Sequence, residues 1–172
     1  MTTATKTPVS TNPRLGLDDE VRHGVVELLQ TVLADEMVLY TRLRNYHWNV
    51  VGPQFQSLHE LFEEQYTQLE QTIDDTAERI RAYGAYAKGT MAEFIQIARL
   101  DEQPNNYPNA RDMVKNLAED HEQLVRDLRE DIETCDDYDD VGAEDFLTGL
   151  LQDHQEMAWM LRTFLEGPAV HE

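Results

Sequence analysis

Residues 44–66, RNYHWNVVGPQFQSLHELFEEQY, hold the break on which the fold turns, Gly52-Pro53. Proline suits the first turn of a helix and not its interior, so the pair ends one helix and starts the next. Upstream, Leu17-Asp18-Asp19-Glu20 reads as a helix start, with acids where the helix dipole favours them. From there to Asn49 the chain has no proline, and Val21, Val25, Leu28, Leu29, Val32, Leu33, Met37, Tyr40 and Leu43 recur at helical spacing. Downstream, a second helix runs from about Gln54 to Tyr83, where Gly84 supplies a stop.

The rest of the chain repeats the pattern. Residues 84–108 form a longer connection holding a short apolar piece, Met91-Ala92-Glu93-Phe94-Ile95-Gln96-Ile97, which predicts a small crossing helix. Met113, Leu117, His121, Leu124, Leu128 and Ile132 mark a third long helix. Leu147, Leu150, Leu151, His154, Met157, Leu161, Phe164 and Leu165 mark a fourth. No segment shows strand alternation and there is no internal repeat. The expected fold is all-α: a ferritin-like four-helix bundle with a short crossing helix between helices 2 and 3. Residues 17–166 form the bundle, with a flexible N-terminal tail over 1–16 and a short C-terminal tail over 167–172.

Charge narrows the function. There are 34 acids against 14 bases, a formal net charge of −20. Such a chain repels nucleic-acid phosphate and attracts cations. MTTATKTPVSTNPR has no apolar run, so neither a signal peptide nor a membrane anchor is expected. Nor does any apolar run reach the roughly 18 residues that span a bilayer. The lone Cys135 fits a reducing cytoplasm and reads as an inert thiol.

The second helix carries the chemistry. At about 100° per residue, His59, Glu63, Asp74 and Glu78 fall in one sector of its surface. They do not share one place: Glu63 and Asp74 lie about 16 Å apart along the axis, and His59 and Glu78 about 28 Å. A metal–ligand bond is about 2 Å, so one copy of this helix cannot gather them. Two copies can. His59 and Glu78 are equidistant from a point midway between residues 68 and 69, and so are Glu63 and Asp74. An antiparallel copy related by a two-fold axis at that point brings both pairs level and makes two identical sites. His47, next to the turn, can add a ligand beside His59. Imidazole nitrogens with carboxylate oxygens suit iron, manganese or zinc better than calcium or magnesium. Taken singly, each of these groups is more often a solvated acid or a helix-end histidine.

The run H-W-N-V-x-G-x-x-F-x-x-L-H-E-L-F-E, followed by D-D-T-A-E-R over 74–79, resembles the Dps family of mini-ferritins, and the likeness extends from about Leu17 to Leu165. The resemblance implies a dodecameric shell that oxidises Fe(II), preferentially with hydrogen peroxide, and stores the ferric product. It implies a di-iron ferroxidase site between two-fold-related subunits. Zinc, which suits the same donors, is a candidate competitor. His47, His59 and Glu63 come from one subunit, and Asp74 and Glu78 from the other. A first iron then binds at Glu78 and a second, more weakly, near His47. Family members more often have Asp where this chain has Glu63, a difference of one methylene. Trp48 is placed either to quench stray radicals or to pack at the interface.

The resemblance also points to acids near the start of the fourth helix as pore lining, with Asp145 the first candidate and Asp136 and Asp140 behind it. Glu60 and Glu64 are candidates for nucleating mineral, and His23, His121 and His154 read as structural. DNA binding is expected to be weak or absent: the tail offers only Lys6 and Arg14, and GPAVHE adds no base. The alternative is a nucleoid-associated DNA-protecting protein with little ferroxidase activity, which the charge disfavours. Another di-metal bundle, with Glu-x-x-His pairs on two helices, is disfavoured because only Glu20 to His23 fits that spacing.

Overall fold

A computed structural model of the chain describes residues 7–166. Five helices follow one another: α1 Asp19–Asn49, α2 Phe55–Ala82, the short α3 Met91–Ile97, α4 Ala110–Asp137 and α5 Val141–Glu166. This is the expected all-α bundle, four long helices with a crossing helix between the second and third. At the first hairpin Gly52 takes φ +115°, a conformation costly for any side chain, and α2 begins within three residues.

Each long helix buries a stripe. Val25, Leu29, Val32, Leu39 and Leu43 of α1 meet Leu58, Phe62, Leu69 and Ile80 of α2 in the core, together with Leu117, Leu124 and Leu128 of α4 and Leu147 and Leu161 of α5. α1 packs on α2 and α4 on α5, so the bundle is two hairpins joined by the α3 connection. A capping box starts α3: Thr90 accepts from the Glu93 N–H while Glu93 reaches back to the Thr90 N–H. Beyond it, Arg99 bonds Asp35 of α1 (Nε to Oδ2, 2.7 Å) and Asp131 of α4 (2.9 Å), fastening the connection to both hairpins.

Residues 1–6 and 167–172, which include Lys6 and the expected C-terminal tail, lie outside the described residues. Part of the segment expected as a flexible tail is held instead. The Ser10 and Thr11 N–H groups donate to the Gly84 carbonyl (2.7 and 3.1 Å), and the Tyr86 N–H donates to Pro8. Gly84 has φ +84°, and a Cβ there would lie 2.5 Å from the Thr11 carbonyl oxygen. Glycine both stops α2 and lets this segment pack against its end.

Candidate metal centre

His47 sits in the last turn of α1, and His59 sits one turn into α2. Buried Leu43, Tyr46 and Val50 on one side, and Leu58, Leu61 and Phe62 on the other, fix the two backbones. The imidazoles stack with centroids 3.7 Å apart and planes 17° from parallel. Each bonds the other residue's backbone: His47 Nδ1 to the His59 carbonyl and His59 Nδ1 to the His47 carbonyl, both 2.8 Å. A carbonyl only accepts, so both Nδ1 atoms carry the hydrogen. In the neutral rings the lone pairs are therefore on Nε2, free to ligate a metal. The bond from His59 also satisfies a carbonyl at the end of α1, where intrahelical donors run out.

The ring of Phe55 stacks on His59 at 5.0 Å, and Tyr66 meets His47 edge-on at 5.3 Å. The Tyr66 hydroxyl lies 3.3 Å from Glu63 Oε1. Burial first, and then the Glu63 carboxylate, raise the Tyr66 phenol above its ordinary pKa. Arg44 lies over the Tyr66 ring at 4.8 Å and over Trp48 at 5.3 Å, and donates to the Tyr40 hydroxyl. The sequence reading missed both Arg44 and Tyr66. Their spacing was the available signal: Tyr66 follows Glu63 by three residues, and Arg44 precedes His47 by three, so each shares its neighbour's helix face.

Glu63, Asp74 and Glu78 are exposed on α2, and Trp48 is exposed on α1. Among the described residues no three of His, Cys, Asp and Glu converge on one point. The structure thus brings His47 and His59 together, with Glu63 one turn further along, and leaves Asp74 and Glu78 on the other half of the helix. Around Asp74, a groove of about 620 Å³ between α1 and α2 is lined by Met37, Tyr40, Thr67, Glu70, Ile73 and Ala77.

The other candidates separate by environment. Asp136 and Asp145 are exposed, as are Glu60 and Glu64. Asp140 is not a free acid: it is buried, accepts from the Tyr83 hydroxyl (2.6 Å) and caps α5 by accepting from the Ala143 N–H (3.1 Å). That assigns it to the end of α5 as a cap. Cys135 is fully buried, and burial pushes its thiol up to about 12, so it is inert. His23 is half-buried, while His121 and His154 pair inside the bundle.

A family model for the ferritin-like domain matches residues 26–168. The five-helix order and that match define a ferritin-like protein. The chain is 40% identical to a DNA protection during starvation protein of Bacillus anthracis, over 82% of this chain and 96% of that one. It is 50% identical to an uncharacterised low-temperature-induced protein of Nostoc sp., over 91% and 88%. It superposes on a Dps protein from Vibrio cholerae O1, described as a member of a superfamily of ferritin-like diiron-carboxylate proteins. There the TM-score is 0.84 at 27% identity, covering 93% of this chain and all of that one. The chain belongs to the Dps family of mini-ferritins. This is a family of oligomeric, iron-binding proteins of iron storage and protection against oxidative stress. Among the described residues no helix is long and apolar enough to cross a membrane.

Proposed function

We propose that two-fold-related copies of this chain oxidise Fe(II) with hydrogen peroxide at shared sites, and that twelve copies enclose the ferric product in a shell. The observation that carries the proposal is the reciprocal bonding of His47 and His59, which leaves two Nε2 lone pairs free on one hairpin. His47, His59 and Glu63 then form one half of each site, and Asp74 and Glu78 of a second copy form the other. Iron is the substrate. Two Fe(II) ions each give one electron to one peroxide, whose O–O bond breaks; two protons are taken up and two waters form. With both electrons delivered together, no hydroxyl radical is released. The chain's own contribution is to hold the ions, with imidazoles locked in the ligating tautomer and carboxylates that offset the ferric charge. Trp48, exposed beside His47, either gives up an electron to a stray radical or packs in the contact. Zinc, which favours the same donors, competes for the site. The protein acts in the cytoplasm.

A purely DNA-protecting role is the second reading, and the net charge of −20 opposes it. Stopped-flow Fe(II) oxidation at low iron loading, with and without peroxide, tests the first. His59→Ala and Glu78→Ala are each expected to slow the peroxide-driven rate by about 10–100-fold. Parental rates in both variants would overturn the assignment.

A further inference from the structure

The α1/α2 hairpin does not account for a second group of polar side chains, enclosed in the middle of the bundle. Each long helix contributes one residue: Glu36 of α1, Thr76 of α2, His121 of α4 and His154 of α5, none more than 1% exposed. They form a chain. Glu36 Oε2 is 3.1 Å from the Thr76 hydroxyl, Glu36 Oε1 is 3.8 Å from His154 Nε2, and His154 Nδ1 is 2.9 Å from His121 Nδ1. The Thr76 side lies on the buried face of α2, away from exposed Asp74 and Glu78.

This arrangement is short of positive charge. The Thr76 hydroxyl has one hydrogen for two acceptors, Glu36 Oε2 and the Thr72 carbonyl at 2.7 Å. Glu36 Oε1 is fully buried without a hydrogen-bond partner. A carboxylate cannot lie in such surroundings without a cation or a proton beside it. A shared proton would draw Glu36 Oε1 and His154 Nε2 to about 2.8 Å. At 3.8 Å they are about 1 Å too far apart for that, whereas two ligands each about 2 Å from one ion stand between 3 and 4 Å apart.

We propose that the bundle centre holds one divalent cation, with Glu36 Oε1 and His154 Nε2 as its protein ligands and water completing the coordination. His121 is a positioning residue: its Nδ1 accepts from His154 Nδ1–H, which turns the His154 Nε2 lone pair toward the ion. Such an outer partner is usual for a ligating imidazole. Thr76 orients the carboxylate from its other oxygen. One imidazole and one carboxylate favour zinc or ferrous ion over calcium or magnesium. With two protein ligands the site binds more weakly than three- and four-ligand zinc centres.

The test uses the assembled protein carrying His59→Ala and Glu78→Ala, which silences the hairpin sites. Equilibrium dialysis against Zn(II) is expected to leave about one zinc per chain, and Glu36→Gln or His154→Phe to weaken its affinity at least tenfold. Zinc-soaked crystals of the unsubstituted chain are expected to show anomalous scattering between Glu36 Oε1 and His154 Nε2, a readout that does not depend on how the variants fold. Two results would overturn the proposal: no anomalous peak at that position, or zinc binding that Glu36→Gln leaves unchanged. A crystal with the N···O pair closed to about 2.8 Å and no peak would assign a shared proton instead.

Discussion

Each imidazole of the His47–His59 pair fixes the other's tautomer, so losing either ring removes a proposed ligand and releases its neighbour. This coupling arises because the turn at Gly52-Pro53 is short enough to bring the end of α1 level with the start of α2. Gly84 has a comparable role at the other end of α2, where the backbone of Thr11 leaves no space for a Cβ. Gly84→Ala therefore costs about 1–3 kcal/mol from the left-handed backbone alone. The thermal midpoint is expected to fall by several degrees. An unchanged midpoint would mean that residue 84 does not hold the left-handed backbone, φ +84°, on which the prediction rests.

At the scale of elements, Arg99 joins α1, α4 and the α3 connection, and it does so among three carboxylates. Asp35, Asp127 and Asp131 surround it at 2.7, 3.7 and 2.9 Å. One cation does not balance three acids. Burial first, only partly offset by Arg99, pushes Asp131 up to about 6. An acid whose folded pKa lies above its unfolded value near 4 binds more protons folded than unfolded. Its contribution to stability is present below about 4 and is lost as pH rises through 6. Asp131→Asn removes that loss, so the gap between variant and parent thermal midpoints should shift in the variant's favour from pH 4.5 to pH 7. A gap that stays constant over this range would contradict the raised pKa.

The helices were legible because burial imposes a period of 3.6 on their apolar residues, and Gly52-Pro53 and Gly84 mark where the pattern stops. Residues 98–101 were not, since the bond from Arg99 to Asp35 spans 64 positions and leaves no local trace. A trace did exist for the start of α3, in the spacing of Thr90 and Glu93. Asp140 read as a candidate pore acid, behind Asp145, because a helix cap and a solvated carboxylate look alike until the partner N–H is seen. The exposed acids of α2 were legible as a row, while the histidine stacking depends on the angle between two helices. His121 and His154 read as core fillers because their meeting joins α4 to α5 and, through Glu36, to α1.

At the scale of the whole molecule, the net charge of −20 and the proposed split site act in opposite directions. Like charge opposes assembly of the copies. The proposed site, with His47, His59 and Glu63 on one chain and Asp74 and Glu78 on another, requires it, and iron held there would offset part of the repulsion. The most direct test is complementation between His59→Ala and Glu78→Ala chains, unfolded together and reassembled in equal amounts. In a mixed pair, one site carries both defects and the other carries neither. Random pairing therefore leaves about one quarter of the sites intact. The account predicts recovery of about a quarter of the parental peroxide-dependent Fe(II) oxidation, from two variants that are each nearly inactive alone. No recovery in mixed assemblies of parental size would contradict a site shared between chains.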